Sequence, residues 1–270
     1  MKKHLSNIIL VLILLTGVSL LLYPTVSDYW NSFHQSRAIA SYTDAVASMD
    51  DEEYEKMWEQ AASYNLALWY KPNRFSLSEE DWAEYESLLN ISGNGIMGYI
   101  TIPSIDVKLP IYHGVGEAVL QVAIGHLEIS SLPVGGEGTH CVLSGHRGLP
   151  SAKLFTNLDK LKEGDIFTLQ VLDEVLTYEV DQIHIVLPEI ANELDLIEGE
   201  DYCTLVTCTP YGVNTHRLLV RGHRIENLRG PLRVTADAIK LDSKLVAPIV
   251  AAPILMILLL WLLIHYRKRK

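Results

Sequence analysis

Two long apolar runs bracket a chain whose middle changes rhythm. From Leu5 to Ser27 no residue is charged, and Ile8 to Leu22 is nearly all Ile, Leu and Val, with Lys2, Lys3 and His4 just upstream. A second run, Leu245 to Tyr266, carries no Asp, Glu, Lys or Arg and ends in Arg267-Lys268-Arg269-Lys270. About 20 apolar residues suffice to cross the roughly 30 Å hydrocarbon layer, and basic flanks tend to stay on the cytoplasmic side. Two transmembrane helices are therefore expected, with both termini cytoplasmic and the middle outside the cell. A cleaved signal peptide is the alternative for the first run, but Tyr23-Pro24-Thr25-Val26-Ser27 offers no small-x-small cleavage pattern, which favours a retained anchor.

Between the runs, residues 27 to 70 mix Ala, Glu, Met, Tyr, Trp and Leu without glycine or proline, which predicts one or two helices leaving the membrane. Trp58, Leu66, Leu68 and Trp69 are the expected docking residues. Lys71-Pro72-Asn73 breaks this pattern, Ser78 to Asp81 has the spacing of a helix cap, and Ser92-Gly93-Asn94-Gly95 breaks the chain again. After Gly98 come short β-rich runs: 99–103, 107–112, 140–144, 166–171, 175–186, 202–208 and 217–225. Helical patches interrupt them only near 118–123 and 154–161. Such punctuation predicts a mainly β domain, a barrel or a sandwich. The expected segments are a membrane run (1–26), a helical segment (27–72), a connector (73–97), a β domain (98–230), a linker (231–244), the second span (245–266) and a basic tail (267–270).

Charge and cysteine content narrow the possibilities. The net charge is −11, yet two lysines precede the first run and four basic residues follow the second, so the part between is more acidic than the whole. That argues against nucleic acid, whose phosphates need clustered Lys and Arg. Three cysteines are too few for a disulfide scaffold, and the odd number leaves at least one thiol unpaired.

The candidate chemistry lies at strand ends. Tyr202 to Cys208 reads as a buried strand closed by Thr209-Pro210, and Arg217 opens the next strand after the turn Gly212-Val213-Asn214, so a hairpin can return it beside Cys208. A further apolar strand, Cys141-Val142-Leu143-Ser144, ends in Gly145-His146-Arg147-Gly148. A thiolate nucleophile, an imidazole that can protonate a leaving amine, and a guanidinium that can hold a developing oxyanion form a coherent set. Each alone is weak, because an unpaired cysteine is often only a small buried hydrophobe and most histidines are structural. Arg147, Arg221 and Arg224 compete with Arg217 for the third role. His126, His140, His216 and His223 lack a metal-ligand spacing and read as structural or surface groups. If Cys208 and His146 end neighbouring strands, Cys141 and Cys203, each five residues earlier, should lie side by side; a reduced pair is favoured over a disulfide.

Thr204-Leu205-Val206-Thr207-Cys208-Thr209-Pro210-Tyr211, the stretch Asn214 to Arg224, and Leu143 to Gly148 together resemble the sortases, specifically the class C, pilin-polymerising branch of Gram-positive bacteria. Gly98 to Pro103, Leu109 to Tyr112 and Gly125 to Glu128 extend the resemblance over about residues 98 to 226. The resemblance implies an eight-stranded sortase-type β-barrel. It implies that Cys208 attacks the Thr–Gly bond of an LPXTG-like sorting signal to form a thioester, which a pilin lysine amine resolves. His146 would be the acid/base and Arg217 the oxyanion ligand, with no metal or organic cofactor. The implied partners are pilin subunits, other LPXTG-type surface proteins and the membrane. A housekeeping sortase that anchors proteins to cell-wall precursor is the alternative enzyme, and a non-catalytic tethered module with a structural Cys208 the alternative class. Class C sortases usually carry an Asp-Pro-aromatic lid before the barrel. This chain has no Asp-Pro, leaving Phe75 and the pair Asp81-Trp82 as lid candidates, the pair having an ordinary capped helix as its competing reading.

Overall fold

The computed structural model describes residues 2–71, 74–189 and 192–227. The expected linker, second span and basic tail (231–270) lie outside the described residues. Helix α1 (Lys2–Ala47) runs unbroken through Pro24. Among the described residues it is the one helix long and apolar enough to cross a membrane, with a mean hydropathy of 2.4 over its most apolar window. The chain divides into two compact units, one of them residues 30–228, which contains the rest of the architecture below.

Helix α2 (Asp51–Tyr70) starts at Asp50, whose carboxylate accepts the Glu53 N–H at 2.8 Å, and three acidic residues in its first turn complement the helix dipole. Its buried stripe is Ala61, Tyr64, Asn65 and Leu68, the i, i+3, i+4, i+7 spacing of one helix face. Leu66 falls off that stripe and is 63% exposed, contrary to the docking role expected for it. Trp58 is partly buried against the core, and the Trp69 indole donates to the Gly138 carbonyl at 2.8 Å. Helix α3 (Glu79–Ser87) has the capping box that its spacing suggests: Asp81 N–H donates to Ser78 Oγ, and Ser78 N–H to the Asp81 carboxylate.

Eight strands follow: β1 (Ile96–Ile102), β2 (Val107–His113), β3 (Ile124–His126), β4 (Thr139–Ser144), β5 (Ile166–Val171), β6 (Glu174–Val186), β7 (Asp201–Thr209) and β8 (His216–Ile225). They close into a barrel in the order β1-β2-β3-β4-β7-β8-β6-β5. Seven of these match the β-rich runs; β3 has only three residues, too short to show a period of two. A short helix, α4 (Glu117–Leu120), occupies the first expected helical patch, but the second holds only a 3-10 turn, Leu158–Lys160. Leu154 sits at φ +36°, which a right-handed helix cannot contain.

Closure of the barrel decides which strands are parallel. Most neighbours are antiparallel, but β2 with β3 and β4 with β7 run the same way. Alternate residues turn inward, as in β5, where Phe167, Leu169 and Val171 are buried. Phe167 stacks on Tyr178 inside, their centroids 5.5 Å apart.

The helices dock through buried polar groups that satisfy backbone. Asn65 accepts from Leu132 N–H (2.7 Å) and donates to Leu132 O (3.0 Å). Tyr42 of α1 donates its hydroxyl to Met97 O (2.9 Å) and accepts from Leu172 N–H (2.7 Å). Tyr42→Phe leaves two buried backbone groups without partners, and each such group costs about 1–3 kcal/mol. The variant is expected to lower the urea midpoint at unchanged m-value, measured by circular dichroism.

Candidate active site

The parallel pairing of β4 with β7 is in register from Thr139 opposite Asp201 to Ser144 opposite Val206, which sets Cys141 opposite Cys203. The pairing continues past the end of β4: Gly145 N–H donates to Val206 O at 3.0 Å, and the Thr207 hydroxyl donates to Gly145 O at 2.7 Å. Two residues beyond Ser144 is His146, and two beyond Val206 is Cys208, so the two reach the same end of adjacent strands at the same level. Across the antiparallel β7–β8 ladder, Cys208 faces Arg217 directly. Directly opposed residues share a face of the sheet. Three separate chain segments thus converge on one barrel mouth, and all three side chains are half-buried.

Strand alternation gives this mouth its outer face. Cys203, Leu205 and Thr207 turn inward and are buried, whereas Val206 and Cys208 belong to the other set. Below Cys208 on that face, Thr204, Leu219 and Arg221 meet Gln182, His184 and Glu193 in a shallow groove. Gln182 Nε2 lies 2.7 Å from His184 Nδ1, which lies 3.1 Å from the Glu193 carboxylate.

Partners distinguish the competing arginines. Arg221 is held by Asp181 in two hydrogen bonds (3.1 and 2.7 Å) and lies 4.2 Å over the Tyr202 ring. Arg147 pairs with Asp159, and Arg224 lies 4.0 Å from Asp201. Arg217 donates only to carbonyls of its own hairpin, Asn214 O (3.3 Å) and His216 O (3.2 Å), and no carboxylate among the described residues neutralises it. A guanidinium without a counter-ion beside a thiol is available for a substrate oxygen.

Two of the other histidines have buried structural partners. His126 is bound by the Tyr85 hydroxyl (2.9 Å) and Ser131 O (2.8 Å), and His140 by Asp195 O (2.9 Å) and Thr204 Oγ1 (2.7 Å). Burial lowers the His140 pKa from the usual histidine value. Cys141 and Cys203 are adjacent, as expected from their spacing, and both are buried free thiols. Burial pushes the Cys203 thiol well up, and the neighbouring Cys141 sulfur adds to it.

Each of the three lid candidates has partners of its own. Phe75 lies 4.8 Å under the Arg74 guanidinium, which pairs with Asp195 at 2.6 Å. Asp81 caps α3 and pairs with Lys71 at 2.5 Å. Trp82 packs on Tyr85 and on Gly114 just past the end of β2. The Lys71 contact, followed by the Ser78 hydrogen bonds, brings the Asp81 carboxyl down to about 2. Sequence reasoning missed Thr207 and Thr209 as parts of the mouth, and a threonine on each side of Cys208 is the signal that could have pointed to them.

Residues 100–225 match the Sortase domain family. Sortase C1 from Streptococcus agalactiae is 54% identical, with a TM-score of 0.69 over 71% of this chain and 100% of that one. The Streptococcus pneumoniae sortase C, whose structure was described in terms of pilin substrate specificity, is 47% identical with a TM-score of 0.64 over 71% of this chain and 97% of its own. The Clostridium perfringens sortase C solved with the C-terminal cell wall sorting motif is 44% identical, with a TM-score of 0.63 over 71% of this chain and 100% of its own. The match to Sortase A of Streptococcus agalactiae serotype III is 33% identical over 42% of this chain and spans about half of that protein, 47%. The chain belongs to the sortase family, a family of cysteine transpeptidases, and these solved neighbours are of the sortase C kind.

Two predictions follow from burial and charge at these groups. Thiol alkylation of the folded protein is expected to label Cys208 alone, and alkylation in denaturant all three cysteines; intact mass distinguishes one adduct from three. Asp81 is expected to titrate near 2 by carboxyl NMR and to move up toward 3.8 in Lys71→Met. With its folded pKa depressed, the stabilisation from this carboxylate is present above the unfolded value and lost as pH falls through about 2.

Proposed function

We propose that this protein is a membrane-anchored pilin-polymerising transpeptidase acting on the extracellular face of the cell, with both termini cytoplasmic. The observation that carries this reading is the meeting of Cys208, Arg217 and His146 at one barrel mouth through two in-register ladders.

The Cys208 thiolate attacks the carbonyl of the Thr–Gly bond in an LPXTG-like sorting signal, and Arg217 donates to the oxygen as negative charge develops on it. His146 gives its proton to the departing glycine amine, which leaves the acyl chain on Cys208 as a thioester. A lysine amine of the next pilin subunit then attacks the thioester, passes a proton to His146 and releases the thiolate. Pilin subunits and other LPXTG-type surface proteins are the partners in this scheme. The similarity to Sortase A keeps a second acceptor, a cell-wall precursor amine, as the competing reading.

Incubating the full-length protein in detergent with an LPXTG-type peptide is expected to add the acyl fragment to Cys208 by intact mass. Cys208→Ala abolishes the adduct, and mutation of Cys141 or Cys203 leaves it. Arg217→Ala is expected to lower kcat roughly 10²–10³-fold, the usual loss for one oxyanion donor. Offering the loaded enzyme a pilin domain and an oligoglycine amine in competition separates the two acceptors. Absence of an adduct on the wild type with every sorting-motif variant tried overturns the transpeptidase reading.

A further inference from the structure

Arg147 links the segment that carries His146 to the one that carries Cys208. It follows His146 in the chain, and its side chain is only 10% exposed. One guanidinium nitrogen, Nη1, donates to Thr209 Oγ1 at 3.2 Å, and Thr209 is the residue after Cys208. The other, Nη2, donates to the Asp159 carboxylate. Asp159 sits in the 3-10 turn Leu158–Lys160, and Leu158 is fully buried in the core. The guanidinium also faces the Tyr211 ring at 6.0 Å.

The surrounding backbone is held by the same loop. Phe155 N–H donates to His146 O (3.2 Å), and Gly148 N–H to Thr156 Oγ1 (3.2 Å). Gly148 adopts φ +80° under Tyr211, where an added Cβ would lie 3.0 Å from the ring, so a larger residue would force the two loops apart. Arg147 is thereby tied on one side to the loop after Cys208 and on the other, through Asp159, to the core.

We propose that Arg147 is a positioning residue that holds the His146 loop against the Cys208 strand end by bridging Thr209 and Asp159. This role rests on the reading of Cys208 and His146 as nucleophile and acid/base. The strand ladder ends at Gly145, and beyond it the next three residues are held, besides the bridge, by Phe155 N–H to His146 O, by Gly148 N–H to Thr156 Oγ1 and by the Tyr211 ring over Gly148. Proton transfer between a side chain and a leaving amine needs hydrogen-bond reach, and a displacement of about 1 Å can cost on the order of 100-fold in rate. Paired with the Asp159 carboxylate, the Arg147 guanidinium is a poorer oxyanion donor than Arg217, which has only carbonyl partners among the described residues.

The test compares full-length wild type, Arg147→Ala, Arg147→Lys and Thr209→Val in detergent with an LPXTG-type peptide and an amine acceptor. Arg147→Ala is expected to lose roughly 10–100-fold in kcat with KM within about twofold. Thr209→Val, nearly isosteric, removes one end of the bridge and is expected to lose less kcat at an unchanged Tm. Arg147→Lys can still reach Asp159 but cannot span both partners, so its kcat is expected between those of Ala and wild type. Should Arg147→Ala fail to fold, Thr209→Val and Arg147→Lys decide the matter by the same split. Wild-type kcat in the folded variants, or a loss confined to KM, overturns the positioning role while the wild type still turns over. A wild type that forms no adduct on Cys208 refutes the reading of the site, and the positioning role falls with it.

Discussion

Everything at the mouth of this barrel depends on the parallel, in-register pairing of β4 with β7. Parallel strands end at the same edge of a sheet, so the loops leaving them, one with His146 and one with Cys208, emerge together. An antiparallel pairing would put the two residues at opposite edges, about 20 Å apart for strands of six residues. A shift of one residue would turn Cys208 toward the core, because side chains alternate with a period of two. The side-by-side Cys141 and Cys203 report the same register from inside the barrel.

A second constraint is the counter-ion pattern of the arginines. Arg221, Arg224 and Arg147 each have a carboxylate within ion-pair range, and Arg217 alone among these four has only carbonyl oxygens. Structural arginines are neutralised where they stand, and the remaining positive charge lies opposite the thiol. The two kinds of arginine differ: the first lock loops and strands, and the second leaves a positive charge without a carboxylate opposite Cys208.

The helical segment before the barrel is joined to it by polar side chains that complete backbone hydrogen bonding. Tyr42, Asn65 and Tyr85 each reach a buried N–H or carbonyl that no strand partner satisfies. Buried polar groups without partners are costly, so these contacts specify where α1, α2 and α3 sit more narrowly than apolar burial could.

Local features were legible in the sequence by itself: seven of eight strands, the Ser78–Asp81 cap, the apolar first helix and the hairpin that returns Arg217 to Cys208. Each depends on residues close in the chain, where periodicity and turn chemistry act directly. Membership of the sortase family was legible too, through the motifs around Cys208 and His146. The tertiary structure decided what local rules cannot reach. It brought His146 and Cys208 to the same end of adjacent strands, left Arg217 without a carboxylate partner among the described residues and exposed Leu66 on the unpacked face of α2. It also joined Arg147 to Thr209 across a gap of 62 residues. Pairing of segments so far apart follows from closure of the whole barrel, which no single stretch of sequence encodes.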